Sequence, residues 1–173
     1  MPRIIYDIPD WGYDLSSYRK HKYKSSLQED LTYIDSLRGY SLYMYDSNGQ
    51  YSKHFVLLDH TNETIKYKSM LMDTMHNGKF SQTLVWRDKD DDALKGISSQ
   101  IIVDYYLDIF TTLYSDDAQS LHGQKLWRDL IDNNPYLNFG SYNIEHNLYD
   151  GISDFDLLYK SVDRDNIVLF VQR

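Results

Sequence analysis

The chain contains no cysteine. That excludes a disulfide framework, a thiolate nucleophile and a cysteine-based zinc site. It also has no apolar run near the roughly 20 residues that a membrane-spanning helix needs. Met1–Gly12 lacks the charged-then-apolar pattern of a secretory leader. A cytoplasmic protein without membrane contact is the expectation. Basic charge is in short supply: 18 Lys and Arg against 26 Asp and Glu leave a net charge of −8. An acidic surface repels phosphate backbones, so nucleic acid is a disfavoured partner. The one basic run, Tyr18-Arg19-Lys20-His21-Lys22-Tyr23-Lys24, reads as a solvated segment. Carboxylates are scattered among the basic residues, which argues against a mimic of nucleic-acid charge. Metal-binding patterns are also missing, since the six histidines include no H-x-x-x-H or H-E-x-x-H pair.

The 173 residues suit one domain. A hydrophobic content of 42% and an aromatic content of 15% speak against disorder. Tyrosine dominates the aromatics with 17 residues. It packs a ring while keeping a hydrogen-bonding end, which fits half-buried sheet faces and contact surfaces. Two of the three prolines lie in residues 1–24, which show no clean period and read as an irregular arm with a short strand at Ile4–Tyr6. From Ser25 a capping pattern and the stripe Leu27, Leu31, Ile34 and Leu37 predict a helix ending at Gly39.

A meander follows. Tyr40–Asp46, His54–Asp59, Thr64–Thr74 and Phe80–Arg87 read as strands, separated by turns at Asp46–Gly49, His60–Glu63 and His76–Lys79. Phe55, Val56, Leu57 and Leu58 are continuous and apolar, as in a strand buried on both faces. After the charged loop Asp88–Asp92, Lys95-Gly96-Ile97-Ser98-Ser99 opens a helix carrying Ile101, Ile102, Tyr105, Tyr106, Ile109 and Phe110. Thr111–Ser115 is extended, and Asp116–Ile131 is a second helix capped by Ser115 or Asp116. Tyr136–Ile144 and Asn166–Gln172 are strands. His146–Asp156 is polar and reads as loop, and Leu157–Tyr159 as a short strand or a turn of helix. The expected fold class is α/β, more narrowly α+β. It is a central, mostly antiparallel sheet of about six to seven strands flanked by helices, in a single domain spanning residues 1–173.

Asp88, Asp90 and Asp92 begin like a calcium loop. Ala93 at the sixth position and Ser99 at the twelfth break the pattern. Lys95–Ser99 carries more chemistry. A helix start presents unpaired N–H groups and a positive dipole end, Gly96 admits close approach, and the serines and Lys95 add donors and charge. Together they suit a pyrophosphate.

The order of elements resembles the GNAT-type N-acetyltransferases. Leu94-Lys95-Gly96-Ile97-Ser98-Ser99-Gln100-Ile101 is similar to that family's acetyl-CoA loop, and Gly123–Leu130 to its second cofactor-contacting helix. Leu113–Gln119, running on to Leu126-Trp127, resembles a pattern in GNAT-like proteins of bacteriophages. The resemblance implies acetyl-CoA as cofactor, bound by Val85, Trp86, Lys95, Gly96, Ile97, Ser98 and Ser99, and no metal. It also implies acetyl transfer to an amine acceptor by direct attack. Where many members carry a tyrosine general acid, this chain has Trp127, whose indole cannot fill that role. Tyr114 and Ser115 are the candidate catalytic residues. The loop also departs in having Ser98 at its second small position and aspartates beside it. An alternative expectation is therefore a non-catalytic GNAT-like phage protein in the host cytoplasm. It would bind a host protein, either as an inhibitor of a defence system or as a small virion component.

Overall fold

The computed structural model describes residues 31–46, 52–74, 79–115, 119, 121–152 and 167–173. The expected strand Ile4–Tyr6, the cap at Ser25 or Ser26, the basic run 18–24, the turn tips at Asn48-Gly49 and Asn77-Gly78, Asp116, and Leu157–Tyr159 lie outside these residues. The fold is α+β and mostly strand. Contacts divide it into two units, one holding 31–73 and 82–96, the other 97–173 with 74 and 79–81.

The first unit is an antiparallel meander of five strands in sequential order: β1 (Thr32–Leu37), β2 (Tyr40–Asp46), β3 (Ser52–Asp59), β4 (Thr64–Thr74) and β5 (Lys79–Arg87). β3 lies at the centre, and Phe55, Val56, Leu57 and Leu58 are all buried. Neighbouring side chains on a strand point to opposite faces, so both faces of β3 are covered, as the unbroken apolar run predicts. One face holds Tyr45, Val56, Leu58 and Ile65, with Leu31, Tyr43 and Trp86 against them. Burying each such aliphatic side chain stabilises the fold by about 1.5–3 kcal/mol.

β1 corrects the expected helix. Arg38 (φ 54°) and Gly39 (φ 85°) form a two-residue turn, and Leu37 pairs with Tyr40 across it. Two successive positive φ values make the hairpin turn that suits strand twist. Pairing with β2, shifted once between Tyr33 and Asp35, overrides the helical spacing. Of the predicted stripe, Leu37 is buried, while Leu31 and Ile34 are half-buried.

The second unit begins with a helical segment, 97–110. It runs through α1 (Ile97–Ile101), a π-helical stretch (Ile102–Tyr106) and α2 (Leu107–Phe110). Ile97, Ile101, Ile102, Tyr106 and Leu107 are buried, and Ile109 is exposed. The Arg173 guanidinium donates to the Val103 carbonyl at 2.8 Å, within the π-helical stretch, and pairs with Asp108. β6 (Thr112–Ser115) leads to α3 (Leu121–Asn133), which starts later than expected and buries Trp127 and Leu130. Asn133 and Asn134 side-chain amides donate to the carbonyls of Asp129 and Leu130 and close the helix.

β7 (Asn138–Asn143), β8 (Leu148–Gly151) and β9 (Ile167–Gln172) complete a four-stranded antiparallel group in the order β6-β9-β7-β8. β8 corrects the loop expected over His146–Asp156. All four of its residues are exposed, so no alternation of apolar and polar residues marks it. With β1 and β8, nine strands stand among the described residues in place of six to seven. Tyr114, Tyr142, Val168 and Phe170 form the apolar cluster on one face of this group.

Candidate functional site

The best-defined polar constellation is the loop Asp88–Gly96 with the strands that hold it, all within the first unit. β5 ends at Arg87, and the Asp88 N–H continues its pairing by donating to the Lys66 carbonyl at 3.0 Å. The Lys66 ammonium returns the contact, donating to Asp88 Oδ2 at 2.9 Å and lying 3.5 Å from Asp91 Oδ2. It also sits 5.7 Å over the Tyr40 ring, a cation–π arrangement. The Tyr40 hydroxyl donates to Asp91 Oδ2 at 2.6 Å.

The carboxylates shape the loop as well. Asp88 Oδ1 accepts from the Asp90 N–H, and Asp91 Oδ1 from the Ala93 N–H, which caps the 3₁₀ turn Asp92–Leu94. Leu94 is buried and anchors that turn. Arg38, at the β1–β2 tip, spans the end of the loop, donating to the carbonyls of Ala93 (2.5 Å) and Lys95 (2.7 Å). Asp92 and Lys95 form an exposed pair at 2.9 Å, which contributes little in water. Gly96 then turns at φ +76°, a region that suits glycine, and nothing lies within 4 Å of where a Cβ would stand.

These contacts shift the titrating groups together. The hydrogen bond to Asp91, with burial and the Asp91 charge, raises the Tyr40 phenol pKa. The bond from Tyr40 lowers that of Asp91 against the opposing effect of burial, helped by the Ala93 N–H and Lys66. Burial opposes the charge on Lys66, but Asp88, Tyr40 and Asp91 outweigh it and its pKa is raised. Asp91 is therefore held as a carboxylate and Lys66 as an ammonium, each facing the other.

The proposed cofactor residues fall at both ends of this loop. Val85 and Trp86 are half-buried on β5, and the Trp86 ring packs on the Tyr45, Val56, Leu58 and Ile65 cluster. Lys95 and Gly96 are exposed. Ile97 is buried at the start of α1, with Ser98 and Ser99 half-buried behind it.

The candidate catalytic pair lies on β6. The Ser115 hydroxyl is buried and accepts from the Leu169 N–H at 2.9 Å, extending the β6–β9 ladder one step beyond the Tyr114–Phe170 pair. Tyr114 is buried, with its hydroxyl 3.1 Å from that of Tyr149, whose side chain reaches solvent on β8.

Sequence reasoning missed Arg38, Tyr40, Lys66 and Tyr149. Their partners lie 22 to 57 positions away in the chain, so no local spacing marks them. Among the described residues no cluster of His, Asp and Glu could hold a metal ion. None of their helices is long and apolar enough to cross a membrane. No protein-family model, curated protein or solved structure matches the chain.

Proposed function

We propose, from the chain's own residues, that this is a GNAT-like acyltransferase that moves an acetyl group from acetyl-CoA to an amine acceptor. The observation that carries the reading is the path of the backbone after β5. A strand leads through a loop tied down along its length to Gly96 at φ +76°, and a helix begins at the next residue. Such a start leaves backbone N–H groups unpaired and aims a partial positive charge outward, which suits a pyrophosphate. The open space at Gly96 fits a ligand lying against the backbone. Lys95 and Gly96 would lie against the phosphates, and Val85 and Trp86, on the strand that leads to them, would border the rest of the cofactor. Bound acetyl-CoA would supply an activated acyl group. In this chain Tyr114 is the candidate to protonate the leaving thiolate. The net charge of −8 would favour the approach of a cationic amine.

A second reading has its own support. The hydroxyls of Tyr114 and Ser115 both lie in buried side chains and both already have hydrogen-bond partners. That arrangement suits a non-catalytic GNAT-like protein, phage-encoded, which works by gripping another protein.

Calorimetric titration with acetyl-CoA separates the two, with Gly96→Trp as control and its folding checked by melting. Micromolar binding that the substitution abolishes is the expected result, and an amine-acceptor screen follows from it. An absence of heat at millimolar acetyl-CoA would overturn the enzyme reading and leave the binding one.

A further inference from the structure

Asp150-Gly151 is the only Asp-Gly step in the chain, and it closes β8 within the second unit. Three features of the place bear on its chemistry. The Gly151 N–H donates to Asp150 Oδ1 at 2.8 Å, so the backbone nitrogen already touches the carboxyl group beside it. Reacting groups held in contact need no chance encounter. Gly151 brings no side chain to crowd that carboxyl, and nothing lies within 4 Å of where its Cβ would stand. Both residues are exposed, on a strand paired only with β7 among the described residues. The Gly140–Gly151 pair is the last rung of that ladder, so water reaches the step and the backbone there is weakly held.

We propose that Asp150-Gly151 is a site of self-modification, where the side-chain carboxyl and the next backbone nitrogen close to a succinimide that reopens as isoaspartate. In closing, the Gly151 nitrogen bonds to Cγ of Asp150. Its proton and the side-chain hydroxyl leave together as one water. In reopening, one water adds back. Cleavage of the Cγ–N bond restores aspartate, and cleavage of the original backbone C–N bond leaves isoaspartate, with the chain running through Cβ and Cγ. The net formula is unchanged, and no oxidant or cofactor takes part.

The product no longer fits the strand. Its backbone is longer by one atom, which moves Gly151 out of register with Gly140. The old Asp150 carbonyl becomes a carboxylate. Its oxygen lies against Gly140, 2.7 Å from where a Cβ would stand, so the isomer sets a charge on β7. β8 has no buried residue to resist the change. The pairing gives way, and Tyr149 is drawn from the hydroxyl of Tyr114, 3.1 Å away. Asp35-Ser36 supplies an internal control. The Ser36 N–H donates to Asp35 Oδ1 at 2.7 Å, but serine adds a side chain and the step lies inside β1.

The test is incubation of the whole chain at neutral pH, well below its melting temperature, with isoaspartate located by peptide mapping. Mapping also separates the Asn48-Gly49 and Asn77-Gly78 steps, which give the same product by losing ammonia. A transient form lighter by one water should appear at Asp150, followed by isoaspartate several-fold faster than at Asp35. Gly151→Ala, which the open space admits, should slow conversion several-fold. Asp150→Glu, whose ring would need one more atom, should abolish it. The same incubation in urea reads the chain without its fold, and the native protein should convert at least as fast. Native conversion several-fold slower than in urea, or no faster at Asp150 than at Asp35, would overturn the proposal. In the isomer, hydrogen-exchange protection along β7 and β8 should fall, and unchanged protection would overturn the link to the strand.

Discussion

Gly140 offers the sharpest test of how the β6-β9-β7-β8 group is packed. It pairs with Phe170 on one side and Gly151 on the other. A Cβ at this position would stand 2.4 Å from both Cε1 and Cζ of Phe170 and 2.7 Å from the Asp150 carbonyl oxygen. The Phe170 ring lies over the glycine and from there reaches Tyr149, 5.5 Å away between centroids, and Tyr114 at 6.1 Å. Two effects of Gly140→Ala oppose each other. Alanine restricts the unfolded chain and gains about 0.4–1 kcal/mol. Forcing a methyl into a filled space costs about 1–3 kcal/mol, and here one obstacle is backbone of the paired strand, which yields less than a side chain. The clash should win by about 2 kcal/mol, a fall in melting temperature of roughly 4–8 °C for a chain of this size. Thermal unfolding of Gly140→Ala, Phe170→Leu and the double variant reads this directly. Leucine lacks the two ring atoms that the methyl meets, so the double variant should lose less than the sum of the single losses, by about 1 kcal/mol. Melting of Gly140→Ala at the wild-type temperature, or strict additivity with Phe170→Leu, would refute the argument.

Two other predictions concern buried polar groups. His54 is stacked on Tyr45 at 4.6 Å, and burial, aided by the Lys68 charge and only partly opposed by Asp46, lowers its pKa from 6.5 to about 4. Between those values the unfolded chain takes up a proton that the native state refuses. Stability should therefore be full above pH 6.5 and fall by about 3 kcal/mol as pH drops toward 4. His54→Phe keeps the stack and should remove that slope from the difference in urea midpoints; an unchanged slope would refute it. Ser115→Ala should cost about 1–3 kcal/mol by withdrawing the acceptor of the buried Leu169 N–H, and a loss within error of zero in urea unfolding would show that another group takes its place.

What could be read in advance follows from where the physical cause resides. The strand Phe55–Leu58 was legible because burial on both faces leaves a local mark, an apolar run. The 97–110 helical segment and the turn at Gly96 were legible for the same reason, as periodicity and residue type carry them. β1 was not. Leu31, Ile34 and Leu37 satisfy a helical stripe, and only the pairing of Tyr33 with Tyr43 and Leu37 with Tyr40 decides for strand. β8 left no mark because an exposed edge strand has no face to bury, and its existence depends wholly on β7. The same division runs through the site. Gly96 and the aspartates announce themselves in the sequence, but the residues that give them their shape and charge state do not. Read alone, Asp88–Asp92 is a reason to doubt an anionic ligand. Lys66 lies 22 residues from Asp88 in the chain and 2.9 Å away in space, and its single charge offsets part of what the loop carries. A cluster of charge therefore says little about a ligand until its counter-charges are located, and here they lie on strands that no motif connects to the loop.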